Sequence, residues 1–400
     1  MVKNKHILFI VENNSVPRDV RVWSEALAAK EYGYDVSVIC PVHKKSAPEK
    51  YEQLEGVDIY RHPMPIEASG RADFFLEYIS ALFWEITLSI KLYFKKPFHI
   101  IHSANPPDHI FIIALIFKIF GVKYIFDHHD ITPETYVAKF GAKNIIYKIL
   151  MFMEKATFKT SDIVISTNES YKNIAITRGS KKDDEVFIVR NGPDLSRIDK
   201  PDPNPELKSG FDYLVAYLGV INNQEGIDNL LRAVQYIIYK KKIKNIKFVI
   251  VGTGPHRNEM IQLSKDLLID KFVIFTGYIP YKDLYEVLTT ADLCVNPEFR
   301  NEFTDKSTMI KIMDYMTFGK PIVMFETTEG RVTAGEAAIY VYNNNEVDFA
   351  EAIIVLLHDD EKRKRMGDIA KQRIQEILQW DLQKNNLIRA YNHLGKSFEN

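Results

Sequence analysis

The segment "DKSTMIKIMDYMTFGKP", residues 305 to 321, sets Lys306, Ser307, Thr308, Lys311 and Asp314 among positions otherwise apolar enough for a buried helix. Lys311 and Asp314 share a helical face, so one can neutralise a phosphate while the other accepts from ribose hydroxyls. Ser307 or Thr308 is placed to cap the helix, whose free N–H groups and positive dipole end favour an anion. Lys306 adds charge, Gly319 closes the helix and Pro321 enters the next strand. An ordinary capped helix with a Lys311–Asp314 surface pair fits the same residues. A second concentration is "DHHDITPE", residues 127 to 134. Its histidines and aspartates raise metal binding, but adjacent His128 and His129 do not readily share one coordination geometry and no H-x-x-x-H helix is present. His128 reads better as a packed, hydrogen-bonded histidine.

The elements that must position these residues follow from alternation. Short β-rich runs, "HILFIV", "DVSVIC", "HIIHSA", "KYIFDH", "DIVIST" and "VFIVRN", are separated by longer helical segments in the first half. A Pro- and Asp-rich stretch at 190 to 212 interrupts the series, which resumes with "YLVAYLGV", "KFVIVGTG", "FVIFTGYI", "DLCVNP", "KPIVMFE" and "AIYVY". Such alternation predicts parallel sheets with crossover helices, hence an α/β chain of two Rossmann-like domains joined by a linker. Ligands of such sheets bind beyond the carboxyl ends of the strands, and two facing sheets would leave a cleft between them. Gly219 ends one strand, and Gly252 and Gly254 follow another. Glycine there lets a backbone approach a phosphate or sugar closely, or simply makes a tight strand-to-helix turn.

Composition excludes several classes. The 400 residues carry a formal net charge of -1, which gives no support to nucleic-acid binding. Hydrophobic residues make up 46% of the chain, enough for full cores. The two cysteines, Cys40 and Cys294, end separate apolar runs and read as buried thiols in a reducing, cytoplasmic setting. The N-terminal "MVKNKHILFIVENN" reads as a strand and not a signal peptide. Residues 74 to 94 are apolar enough to test as a membrane span, but Glu77, Glu85 and Lys91 argue against one. The run at 110 to 120 is too short to span and reads as a buried helix.

The order of "VRNGPD" (189 to 194), "VGTGP", "FTGYIPYKDLYEVLTTADLCVNP", the 305 to 321 segment and the closing "WDLQKNNLIRAYNHL" resembles the GT-B glycosyltransferases of family 4, over essentially the whole chain. That resemblance implies an N-terminal acceptor domain over 1–195, a donor domain over 196–379, and a final helix over 380–400 that crosses back to the first domain. It implies a nucleoside diphosphate sugar as co-substrate, UDP- or GDP-linked, no metal or other cofactor, and retention of anomeric configuration. Donor contacts fall on Gly219, Gly252, Gly254, Tyr278, Lys306, Ser307, Thr308, Lys311, Asp314 and Arg331. A loop salt bridge explains Arg331 equally well. His129, followed by Asp130, is implied to contact the donor sugar; these two, with Lys306, Lys311 and Asp314, form the candidate catalytic set. "VENNSVPRDVRVW" is similar to the family's first strand, acceptor loop and helix, placing Asn13, Asn14, Arg18 and Arg21 towards the acceptor, with Arg21 also open to a solvated helix role. Asn105, Asp108 and Glu134 complete the acceptor candidates.

The sequence also departs from the family. The first of its two glutamates falls on Lys306 and the second on Asp314, with Glu298 and Glu302 the nearby carboxylates available as substitutes. The usual basic pair after the first strand of the donor domain is replaced by "GVINNQEG", with Val220 and Glu225. Residues 139 to 159 combine apolar positions with Lys143, Lys148, Lys155 and Lys159, fitting either a core helix with a solvated face or a basic amphipathic helix on an anionic membrane. The expected protein is therefore a glycosyltransferase acting on a saccharide acceptor, lipid-linked and reached from the inner face of the cytoplasmic membrane. A sugar-nucleotide epimerase on the same fold and a non-catalytic sugar-nucleotide-binding scaffold are the alternatives.

Overall fold

The computed structural model describes residues 5–42, 49–64 and 71–396, without the side chains of 71–75 and 396. The first four residues of the N-terminal stretch, the last four of the 380–400 segment, and the side chains of Phe74 and Phe75 lie outside the described residues. The chain divides into two compact units, Met1–Asn191 with Asp381–Asn400, and Gly192–Trp380.

The first unit is built on β1 (His6–Ile10), β2 (Asp35–Pro41), β3 (Tyr51–Leu54), β4 (Val57–His62), β5 (Ile100–Ala104), β6 (Lys123–His128), β7 (Ile163–Ser166) and β8 (Val186–Ile188). They lie in the order β3-β4-β2-β1-β5-β6-β7-β8. All pairs are parallel except β3 with β4. The second unit carries β9 (Tyr213–Leu218), β10 (Ile246–Val251), β11 (Val273–Gly277), β12 (Leu293–Asn296), β13 (Ile322–Phe325) and β14 (Ala338–Val341). Their order is β11-β10-β9-β12-β13-β14, parallel throughout. Helices cover both faces, so central strands such as β1 and β7 are buried at every position and read as unbroken apolar runs. On β9, Val215 and Tyr217 join one core layer while Leu214 and Ala216 join the other, the two-residue period of a pleated strand.

In both sheets the winding reverses. The chain steps outward from β1 to β4, then returns to lay β5 on the other side of β1; it repeats this at β9, with β12 on its far side. Such reversals open a crevice at the strand carboxyl ends, where α/β sheets take ligands.

Two stretches differ from the sequence reading, and a third agrees with it. The run at 110 to 120 forms the helix Phe111–Lys118, but it buries Ile113, Ala114 and Phe117 only, leaving Leu115, Ile119 and Phe120 exposed. The stretch 51–62 is a β-hairpin that the alternation did not reveal. Its turn uses Glu55 and Gly56, both with positive φ, in place of the stronger Asn-Gly signal. The 74 to 94 run belongs to the helix Arg71–Lys95, and no described helix is long and apolar enough to cross a membrane.

The closing helix Trp380–Lys396 buries Leu387, Ala390, Tyr391 and Leu394. The Tyr391 hydroxyl lies 3.0 Å from His102 Nδ1, and its ring meets Tyr34 edge-on at 5.4 Å. Glycines at the second reversal serve close backbone contact. A Cβ on Gly252, at φ 137°, would lie 1.9 Å from the Gly219 carbonyl oxygen, and one on Gly254 would lie 2.3 Å from that of Ile221. Gly252→Ala is therefore expected to destabilise the second unit by at least about 2 kcal/mol, read as a lower urea midpoint with an unchanged slope.

Candidate functional site

The second unit holds a cavity of about 540 Å³ at its winding reversal. Gly219, Val220 and Gly252 from the ends of β9 and β10 line it, with Tyr278, Tyr281 and Tyr285 on one wall and Thr308, Lys311 and Asp314 on another. The helix behind that wall is Ile310–Thr317, and its N-cap is Met309, with no side-chain capping bond. Neither Ser307 nor Thr308 caps it: the Ser307 hydroxyl instead donates to the Phe303 carbonyl at 2.8 Å. Gly319 does close the helix in a left-handed conformation, φ 66°.

Lys311 does not pair with Asp314 and does not stand free for a phosphate. Its ammonium donates to Glu298 at 2.6 Å, to Glu225, and to the Tyr217 hydroxyl at 3.1 Å. Burial works against the Lys311 charge, but the two carboxylates more than offset it and its pKa is raised. Burial pushes Glu298 up to about 7 despite Lys311. Glu225 also suffers burial, yet the lysine wins there and its pKa is lowered. The lysine charge is thus largely cancelled within the protein. The Asp314 side chain has no hydrogen-bond partner among the described residues, and burial raises its pKa to about 7.

The remaining donor candidates divide. Tyr278 is exposed on the cavity wall. Gly254 serves backbone packing and, like Lys306 and Ser307, is not part of the lining. Arg331 lies in a different hollow, of about 730 Å³, beside Lys362, Arg365 and Arg373. There it meets Glu326 at 2.6 Å and stacks over Tyr340 at 4.3 Å, the salt-bridge alternative.

In the first unit, β1, β5 and β6 are neighbours and parallel, so their following loops share one edge. Asn105 organises that edge. Its side-chain oxygen accepts from the backbone N–H groups of His129 (2.9 Å) and Asp130 (3.0 Å), while its amide donates to Asp108 (2.9 Å) and to the Asp130 carbonyl (2.7 Å). Asn105 and the buried Asp108 are therefore occupied in holding the loop. Burial raises the Asp108 pKa to about 6. Asp130, also raised by burial, accepts from Thr135 at 2.8 Å. Glu134 is bound to Arg178 at 2.7 Å, which removes it from the exposed acceptor set. Asn13 and Arg18 are exposed beyond β1, and Asn14 accepts from the Ser15 N–H at 3.0 Å.

His129 Nδ1 lies 3.1 Å from Asp127 Oδ2, and its side chain is 14% exposed. Asp127 takes two further bonds, of 2.6 and 2.7 Å, from Arg21. Burial opposes the Asp127 charge, but Arg21 overrides it and holds the carboxyl well below its usual range. With an acceptor on Nδ1, neutral His129 carries its proton there and presents the Nε2 lone pair. Arg21 is thus a buried strut and not a solvated helix residue. His128 is packed against Phe126, Phe158 and Tyr171, as expected, but neither ring nitrogen has a hydrogen-bond partner, and burial lowers its pKa to about 3.

Three partnerships at the candidate sites escaped the sequence reading. Asp127 sits inside a strand pattern that hid its partnership with His129. Tyr217 alternates correctly for a core strand and gives no sign that its hydroxyl meets Glu225 at 2.9 Å. Tyr315 is likewise fully buried in a helix, yet its hydroxyl accepts from the Leu218 N–H and donates to the Val295 carbonyl.

Residues 18–197 match the family described as Glycosyltransferase Family 4, and residues 199–373 match Glycosyl transferases group 1. The chain belongs to this group of GT-B transferases. Two uncharacterised glycosyltransferases of Methanocaldococcus jannaschii are similar to it. One is 23% identical over 56% of this chain and 57% of its own length; the other is 24% identical over 90% of each. Sucrose-phosphate synthase from Thermosynechococcus elongatus has the same fold, with a TM-score of 0.80 at 16% identity over 98% of this chain and all of that one. Anabaena HepE in complex with UDP-glucose gives 0.72 at 12% identity over 97% and 99%.

The ion-bridged lysine makes a direct prediction. Lys311→Met strands two buried carboxylates and is expected to cost the second unit about 3–5 kcal/mol in chemical denaturation. Adding Glu225→Gln and Glu298→Gln should restore most of that loss; a triple variant as unstable as the single one would refute the bridge.

Proposed function

We propose that this protein transfers a sugar from a nucleoside diphosphate sugar, UDP-linked in the first instance, to a hydroxyl of a saccharide acceptor with retention of configuration. The observation that carries the reading is the cavity at β9 and β10, where glycine turns, the start of the helix Ile310–Thr317 and the unpartnered Asp314 converge. In this reading Asp314 accepts from the ribose and the exposed Tyr278 covers the base. The helix N–H groups, with Lys306 nearby in sequence, stabilise the departing diphosphate. The structures of HepE with UDP and with UDP-glucose support the choice of base. Transfer itself needs positioning more than covalent chemistry, and we assign that task to His129, fixed by Asp127, in a reaction that uses no metal.

The acceptor is proposed to be lipid-linked, with the enzyme peripheral on the cytoplasmic membrane face. Support comes from exposed apolar side chains on three helices of the first unit: Phe83, Ile90 and Phe94 on Arg71–Lys95, Leu115 on Phe111–Lys118, and Ile145, Ile149 and Phe152 on Ile145–Thr160. Lysines on the same helices, including Lys91 and Lys148, suit anionic headgroups. The cancelled charge of Lys311 favours a second reading, a subunit that binds the sugar nucleotide without turnover.

Titration calorimetry and a transfer assay separate these. His129→Ala is expected to leave UDP-sugar affinity within a factor of about two and to abolish transfer; wild-type binding with no turnover on any acceptor would establish the non-catalytic reading. Asp314 adds a pH test. Its folded pKa of about 7 lies above the unfolded value of 3.8, so it weakens the fold progressively as pH rises between them. Asp314→Asn should therefore raise Tm at pH 8, with no such gain near about pH 4. It should also weaken UDP-sugar binding about 10–100-fold at pH 8, the worth of a bond to a charged acceptor. A variant that gains stability and keeps full affinity would remove Asp314 from the donor site.

A further inference from the structure

At the winding reversal of the first sheet, four ionisable side chains converge that the transfer reading does not use. Glu12 follows β1, His109 follows the Asn105–Asp108 loop after β5, His62 ends β4, and Glu85 projects from the helix Arg71–Lys95. They are buried, with relative exposures of 2%, 6%, 0% and 0% in that order. One ligand atom from each of Glu12, Glu85 and His109 lies within 4.8 Å of the others. Glu12 Oε2 is 3.1 Å from His109 Nε2, and Glu85 Oε1 is 3.9 Å from His62 Nε2.

These atoms lack partners. Glu12 Oε2, both Glu85 oxygens and the Nε2 atoms of His62 and His109 have no hydrogen bond, and no described lysine or arginine forms an ion pair with either carboxylate. His62 sharpens the point. Its Nδ1 lies 3.1 Å from the Pro63 carbonyl oxygen, which can only accept, so Nδ1 bears the proton and Nε2 directs a lone pair at Glu85. Two acceptors facing each other in a buried site need a proton or a cation between them. The comparison within the same unit is informative. Glu25, His102 and Asp127 also converge within 4.8 Å, but Arg21 already stands there, 3.1 Å from Glu25 and 2.6 Å from Asp127.

We propose that Glu12, Glu85 and His109 form a binding site for a divalent cation, with zinc the best-matched ion. Two carboxylate oxygens and one imidazole nitrogen make a neutral three-ligand set for Zn²⁺. At bond lengths of about 2.0–2.2 Å the ligand atoms around a tetrahedral ion stand roughly 3.3–3.6 Å apart. Glu12 Oε2 and His109 Nε2, 3.1 Å apart, lie just inside that spacing, and the three ligand atoms fall within 4.8 Å of one another. His62 Nε2, 3.9 Å from Glu85 Oε1, stands outside this group, its tautomer fixed by the Pro63 carbonyl. The ion takes no part in transfer. It pins the loop carrying Asn13 and Asn14, next in sequence to Glu12, against the loop carrying Asp108, next to His109, and it does so whether or not the second unit binds a sugar nucleotide.

The test is metal analysis of the full chain. Protein stripped with chelator, exposed to zinc chloride and desalted is expected to retain one zinc per chain and to unfold at higher temperature than the stripped form, with magnesium chloride giving neither effect. Glu85→Gln and His109→Ala should each lower zinc affinity at least 100-fold against a chromophoric chelator. Glu85→Gln removes a buried charge, so its loss of zinc will not reflect failure to fold; circular dichroism verifies this. Failure to retain zinc, or zinc retained equally by wild type and both variants, would overturn the proposal. In the first case, a Glu85→Gln gain in Tm that is independent of metal would identify a proton as the species shared by the cluster. UDP-sugar affinity serves as the control, since its presence or absence bears on the donor site alone.

Discussion

A buried cation held by two carboxylates fixes the structure around the strand carboxyl ends of each unit. In the second unit Lys311 joins Glu225, beyond β9, to Glu298, beyond β12. In the first unit Arg21 joins Asp127 on β6 to Glu25, and reaches the Val189 carbonyl and the Asn191 side chain at the point where the chain leaves that unit. Such pairs add little net stability over an apolar core of equal volume, but breaking one strands a charge in a dry site. They therefore act on geometry: the loops that would meet a ligand are held in place by a penalty on every alternative arrangement. Glycines at the second site extend the effect, since the β9 and β10 ends approach closer than any side chain would permit.

Much of this was legible in the sequence. Twelve of the strands stand out because doubly covered parallel strands are continuous apolar runs with little else to confuse them. The hairpin at 51–62 did not, because its edge strand alternates exposed with half-buried residues and its turn is Glu-Gly. The candidate site was legible as positions and not as partnerships. Helical spacing placed Lys311 and Asp314 on one face, and both do line the cavity. That the lysine bonds Glu225, 86 residues away, is a tertiary fact that no local pattern carries. Asn105, Asp108 and Glu134 fell at the expected strand end for the same reason, and their bonds to the loop and to Arg178 were hidden for the same reason.

The departures from the family's pattern become intelligible in pairs. Where the sequence resembles its relatives but lacks the basic pair after the first donor-domain strand, it supplies Glu225; where it lacks the first glutamate, it supplies Lys306 and, nearby, Glu298. Lys311 draws Glu225 and Glu298 together, so the changes compensate one another in charge. Two independent losses would have left a buried carboxylate or a buried lysine uncompensated, at a cost of several kcal/mol. The interlocking keeps the buried site electrically balanced, whether or not it turns over a sugar nucleotide.

The same charge balance constrains how a diphosphate can be stabilised in such a site. Glu225 is held ionised, and Lys311 is spent on it and on Glu298, so the triad presents no net positive charge to an incoming anion. Asp314 adds a further carboxylate that becomes negative above about 7. An anion placed beside these groups would be repelled, whereas a ribose, offering only hydroxyl donors, would be bound. The helix Ile310–Thr317 begins on the same wall, one residue before Lys311, and its N-cap residue Met309 makes no side-chain capping bond. Fixed backbone dipoles of that kind need no reorganisation when charge develops, which makes them effective in a site partly closed to water. In the proposed donor site, with Lys311 already committed to Glu225 and Glu298, the diphosphate would depend on backbone N–H groups in place of the side-chain cation.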